Sequence, residues 1–347
     1  VKRSTIRPLP VLSPLLAIAA ALLVGAGLIA IAQVNPLSAY AILFSEALAN
    51  YYGFGNTLTK LAPLLLTSLA VLVALKAGQF NIGAEGQIYL GGLGSAIVGL
   101  SLPALPAVVH VPLALLGGFL FGAVWGWIPG YLKAVRGVNE VITTLLLNYI
   151  AQNLVSYLVS GPLLEPNAPS PFSPPIAPTA QLPILLPQTQ AHAGVLLGLL
   201  AIVIVWGMFA RSPLGFQIET VGQNPIAARY AGISVARTIM VVMALSGGLA
   251  GLAGAGEVLG LKYRLFENFS PGYGFDAIAI ALLSRGNLAG LVLISLFFGA
   301  LRSGANVMQR SAGVPVTVVY AIQGLTVLFI AISLVLERQW TNQNAPR

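Results

Sequence analysis

The chain of 347 residues contains no cysteine. That absence excludes disulfides, thiol chemistry and thiolate-held metals. Charge is almost as scarce: Asp, Glu, Lys and Arg make up 7% of the residues, against about 25% in a soluble domain. So few charges cannot cover a water-facing surface, and lipid must be the main solvent. Asp276 is the sole aspartate, and the two histidines, His110 and His192, stand far apart with no metal-ligand spacing. Neither a nucleophile–base–acid set nor a GxxxxGK(S/T) phosphate loop occurs. The chain is therefore expected to bind no metal or cofactor and to catalyse nothing itself. If ATP drives it, another subunit must supply the ATPase.

What is abundant points the same way. Hydrophobic residues make up 57% of the chain, and the mean hydropathy is +0.89. Runs such as LLAIAAALLVGAGLIAIA suit helices, whose backbone hydrogen bonds are all internal, whereas a barrel would alternate apolar and polar residues. The fold class is all-α, a polytopic helical membrane protein. The 38 glycines and 23 prolines fit close helix approach and repairable helix breaks. The net charge of +8 comes from basic residues scattered at span ends, where membrane topology explains them, so no nucleic acid partner is expected.

About ten spans are expected, near 13–33, 57–76, 82–101, 112–132, 140–160, 193–210, 238–260, 274–284, 287–304 and 316–336. The stretch 274–284 is too short to cross about 30 Å at 1.5 Å per residue. It reads as a broken or re-entrant helix, or as a piece of its neighbour. Lys2, Arg3 and Arg7 place the N-terminus in the cytoplasm, and alternation puts the C-terminus there too, with roughly twelve basic residues inside against five outside. The Pro-rich loop 161–191 has no Lys or Arg and falls outside. Ala30-Ile31-Ala32 resembles a signal-peptide cleavage site, but the preceding apolar run of about 18 residues exceeds the usual 7–15, so the first span is read as retained.

The blocks 57–160 and 238–336 each hold four apolar segments, and each has a Gly-rich polar break at the head of its second segment: AGQFNIGAEGQIYLGG and NFSPGYGFDAIAIALLSRGN. The topology makes these two halves an inverted repeat. Paired breaks of this kind point to a substrate pathway. Asn81, Glu85, Gln87, Asn148, Phe275 and Asp276 are its candidate lining, suited to a small, neutral, polar solute. The plainer alternatives stay open: Asn81, Glu85 and Asp276 as caps of half-helices, Asn148 and Gln152 as interhelical glue, and Phe275, Tyr89 and Tyr273 as packing. Glu140 and Glu257 are expected in surface ion pairs, the first with Lys133 or Arg136, the second with Lys262 or Arg264.

Between the halves, a basic, Gly- and Ala-rich loop at about 211–237 has no role in merely sitting in lipid. It reads as a docking surface for a soluble cytoplasmic partner. Its sequence VGQNPIAARYAGISVARTIMVVMALSGGLAGLAGAGEV resembles the cytoplasmic signature of permease subunits of bacterial ABC importers, in the branch handling ribose-type sugars, branched-chain amino acids and nucleosides. FNIGAEGQIYLGG, GYGFDAIAIALL and FGALRSGANVMQ are similar to the nucleoside or simple-sugar members.

The resemblance implies an importer permease fold of about ten spans in the inner membrane. It implies a cytoplasmic ATPase subunit that uses the ATP, a second permease (identical or related) and an extracellular solute-binding protein. It also implies a coupling helix. It would run from about Asn224 to Gly232: Gly222 and Pro225 would shape its start, Ala227 and Ala228 would allow close packing, and Arg229 would meet the ATPase. Nucleosides are the expected cargo. Ribose or another simple sugar, and branched-chain amino acids, are the near alternatives. An ion-coupled secondary transporter using Glu85 and Asp276 is the alternative of another class.

Overall fold

A computed structural model describes residues 9–167 and 169–343. Among these the secondary structure is helical, with no strand. In chain order the helices are α1 (Leu9–Ile31), α2 (Pro36–Leu48), α3 (Tyr51–Lys76), α4 (Ala84–Ser101), α5 (Ala107–Arg136), α6 (Glu140–Ser160), α7 (Gly194–Arg211), α8 (Pro213–Gln223), α9 (Pro225–Tyr230), α10 (Val235–Glu257), α11 (Tyr273–Ser284), α12 (Leu288–Ala312) and α13 (Val316–Gln343). A π turn, Val258–Lys262, extends α10.

Local chemistry explains most of the boundaries. Asn35 caps α2, accepting from the Leu37 N–H at 2.9 Å, and Pro36 follows at the first helical position. Asn139 caps α6 in the same way. α5 ends where Gly137 turns left-handed at φ +66°, a conformation glycine adopts at no steric cost.

Among the described residues seven helices are each long and apolar enough to cross a membrane, and the count reaches eight if α1 and α2, bent by 117° at their junction, form one broken span. The sequence places most of these within a few residues but leaves α2 outside any span. The ten expected spans are thus not all seen as full crossings. α4 is long enough but carries Glu85 and Gln87 near its start, and α11 has only 12 residues. Both begin at the polar breaks. Lys2, Arg3 and Arg7, which set the expected orientation, lie outside the described residues.

The described residues fall into two compact units, one running to Phe54 and resuming at Ala300, the other spanning Gly55–Gly299. In the first, Tyr40 donates its hydroxyl to the Leu22 carbonyl at 2.7 Å, and Ser303 donates to the Gly53 carbonyl at 3.0 Å.

The second unit is built around α4, α5 and α10. Gly118, Gly122 and Gly126 line one face of α5 and meet Gly247 and Gly251 on α10. A methyl added at Gly122 would stand 2.3 Å from the Gly247 carbonyl oxygen and 2.7 Å from the Gly251 Cα. Small residues spaced by four let the two backbones touch, which is how helices gain contact when lipid removes the hydrophobic drive to associate. The Gly-rich tracts are therefore packing surfaces, and they hold α4 buried through most of its length.

Candidate functional site

The two polar breaks meet. Glu85, in the first turn of α4, accepts a hydrogen bond at 2.7 Å from the backbone N–H of Gly274, in the first turn of α11. A methyl on Gly274 would lie 2.3 Å from the Glu85 nitrogen, so backbone meets backbone here. Asn148, on α6, accepts from the Gly86 N–H at 2.8 Å and donates to the Ile82 carbonyl at 3.0 Å. Helix starts leave free N–H groups and a partial positive charge. At this junction an amide oxygen and a carboxylate answer them. An acid at the bilayer centre costs about 2.5–3.5 kcal/mol, and two converging helix N-termini offset part of that.

Asn81 ties the approach to α4. Its side-chain oxygen accepts from the Gly83 N–H at 2.9 Å, and its amide nitrogen donates to Gln87 Oε1 at 2.9 Å and Ser246 Oγ at 2.8 Å. Ser246 in turn donates to the Ala70 carbonyl at 2.7 Å. The structure thus brings Asn81, Glu85, Gln87 and Asn148 together in one buried cluster joining α3, α4, α6, α10 and α11. Phe275 and Asp276 follow Gly274 but face differently: Phe275 is exposed and Asp276 half-exposed. Tyr89 and Tyr273 are packed, Tyr89 against Phe269 with ring centroids 4.8 Å apart and Tyr273 below the Lys60 ammonium at 5.9 Å. Ser246 is the member that sequence reasoning misses, because one hydroxyl inside an apolar run gives no signal.

The other candidate region is the loop. Asn224 caps α9, its side-chain oxygen accepting from Ile226 N–H and Ala227 N–H, each at 3.0 Å, with Pro225 at the first helical position. Ala228 is buried, while Ala227 and Arg229 are exposed. Gly232 closes the turn at φ +79°. Gly222 lies beneath, where a methyl would stand 2.1 Å from the Lys76 carbonyl oxygen. Lys76 also pairs with Glu219 of α8 at 2.8 Å, and its side chain lies beside Gly286, just past α11. Ile226 and Tyr230 are 68% and 91% exposed. The sequence reading passes over both, because six residues are too few to show a hydrophobic period.

Elsewhere, Glu140 pairs with Lys133 at 2.8 Å as expected. Glu257 is buried, not at the surface where the sequence places it, and Arg264 pairs with Glu165 at 3.0 Å. His110 bonds Thr179 and the Val98 carbonyl. His192, just before α7, accepts from the Gly194 N–H at 3.1 Å through Nδ1, while Nε2 is buried with no partner among the described residues. Burial, helped by the charge of Lys60, pushes the His192 imidazole down to about 4.

Comparison with known proteins adds a lineage to this geometry. A family model described as branched-chain amino acid transport system / permease component matches residues 53–331. The glucose ABC transporter permease protein of Haloferax volcanii is 40% identical, over 92% of this chain and 87% of its own. The guanosine ABC transporter permease protein NupP of Bacillus subtilis is 37% identical, over 93% of both chains. The nucleoside ABC transporter permease protein NupB of Lactococcus lactis subsp. cremoris is 36% identical, over 94% of this chain and 92% of its own. No solved structure matches.

Proposed function

The chain belongs to the branched-chain amino acid transport system / permease component family, and on that premise we propose that it forms the membrane pathway of an ATP-driven importer of nucleosides. The observation that carries this reading is its similarity, over more than nine-tenths of each chain, to permeases named for guanosine and nucleosides. In this reading a separate cytoplasmic ATPase subunit docks on α9 through Ile226, Arg229 and Tyr230. A second permease completes the pore, and an extracellular binding protein delivers the solute. The site is the bacterial inner membrane, with both termini cytoplasmic, on the strength of the Lys and Arg bias.

The contacts between the loop and the helices support a route for the force. α9 follows α8 directly, and α8 holds the end of α3 through the Lys76–Glu219 pair and the close approach of Gly222. The segment after Lys76 leads through Asn81 to Glu85 and so to Gly274. A displacement of α9 therefore reaches the starts of both α4 and α11. Phe275, exposed beside that junction, offers a ring face to a flat base. The neighbouring amides are spent on one another, which leaves a weakly binding path that releases solute readily.

A simple sugar is the second reading, favoured by the 40% identity to a permease named for glucose. The test is uptake of labelled uridine and adenosine by cells expressing this chain with its ATPase, second permease and binding protein, with glucose, ribose and leucine as competitors. Nucleoside-competed uptake that stops when the ATPase is inactivated is the expected result. Competition by glucose or ribose alone transfers the cargo to sugars, and by leucine alone to amino acids. Uptake indifferent to the ATPase overturns the importer reading and restores ion coupling.

A further inference from the structure

A groove of about 340 Å³ lies along α5 and α10, and no residue of α4, α9 or α11 lines it. Its walls include Phe119, Ala123, Trp127, Ala244 and Leu245, and the one charged residue lining it is Arg237. Along α10 it runs from Arg237 in the first turn to Leu245, about 12 Å at the helical rise. Trp127 is stiffened by stacking on Tyr131, with ring centroids 5.2 Å apart. Arg237 is exposed and forms no ion pair among the described residues, whereas Lys133 at the end of α5 is already held by Glu140.

We propose that this groove binds one acyl chain of an anionic phospholipid, with the lipid phosphate on the Arg237 guanidinium. An apolar channel ending in a single unpaired cation is complementary to an amphiphile with an anionic head. A guanidinium also matches phosphate oxygens with two parallel hydrogen bonds. A membrane protein is immersed in molecules of that chemistry, and basic side chains near a span end attract anionic headgroups. A second permease copy laid over the groove is the less favourable occupant. It would have to bring an acid to Arg237, since an unpaired buried charge is strongly unfavourable, and the chain has only nine acidic residues to offer. The proposal does not depend on which solute the protein carries.

The test is native mass spectrometry of the full chain in mild detergent, with equal amounts of dioleoylphosphatidylglycerol and dioleoylphosphatidylcholine. Wild type should retain the glycerol lipid at least about fivefold over the choline lipid. Arg237→Gln should bring that ratio near one; the residue is exposed, so the fold is kept. Ala244→Trp fills the wall, leaves the charge, and should lower glycerol-lipid occupancy to a similar degree. Equal retention of both lipids by wild type, or a preference untouched by either variant, overturns the proposal. The native absence of cysteine gives a clean third arm with Val241→Cys. Near-complete disulfide cross-linking between copies would assign the groove to a permease interface and also overturn it, while its absence agrees with a lipid there.

Discussion

Two regions of this chain carry polar residues that an apolar membrane protein has no general use for, and they handle them in opposite ways. At the junction of α4 and α11, Asn81, Glu85, Gln87 and Asn148 are each at most 2% exposed, and each has a named hydrogen-bond partner within the fold. On α9 the side chains of Ile226, Arg229 and Tyr230 are exposed, and only Ala228 turns inward. Inside, lipid offers no hydrogen bonds, so polar groups must answer one another. Outside, water tolerates the free groups, and what water does not favour is the exposed Tyr230 and Ile226. In the proposed reading, polarity in the interior serves architecture, whereas exposed apolar side chains on the loop offer a surface to a partner.

This contrast can be broken most forcefully at Glu85. Glu85→Ala leaves the buried Gly274 N–H without its acceptor and should cost about 3 kcal/mol, read as a lower unfolding temperature in detergent. Glu85→Gln keeps an oxygen acceptor and should recover part of that. The next largest effect concerns His192, whose buried Nε2 departs from the rule of paired interior groups. Its folded value near 4 lies below the ordinary 6.5, so the fold holds the neutral ring. That contribution is whole above pH 6.5 and is lost as the pH falls toward 4, at about 1.4 kcal/mol per pH unit. Melting temperatures across this window should fall for wild type more steeply than for His192→Phe. Asn148→Leu removes two bonds between α6 and the start of α4 and should cost about 2 kcal/mol, with no steeper dependence on pH.

Much of this was legible from one sequence because hydropathy and capping are local. α6 runs over Glu140–Ser160 as read, since Asn139 supplies a cap and the apolar run ends at Ser160. The two breaks stand out because Gly, Asn and Glu interrupt apolar runs. Their meeting was not legible. Glu85 and Gly274 are 189 positions apart, and no local period records a contact at that distance. The 117° bend between α1 and α2 escaped because the linker between the two helices is only a few residues long. Ser246 escaped because a lone hydroxyl in an apolar helix has the same pattern whether it joins a network or bonds its own backbone.

The loop side of the comparison predicts small effects on stability and large ones on transport. Asn224→Ala removes the cap of α9 and should cost about 1 kcal/mol, while coupled uptake falls further than that loss of stability explains. Arg229→Glu is the sharpest case. The side chain is exposed, and no ion pair holds it among the described residues, so its reversal should change stability by no more than about 0.5 kcal/mol. The variant should insert, fold and melt like wild type, yet lose ATPase-dependent uptake, because a negative charge now faces the partner's docking surface. If Arg229→Glu instead melts early, α9 belongs with the interior as architecture and the contrast between the two regions collapses. If it melts normally and transports normally, the exposed face of α9 is not where the ATPase pushes.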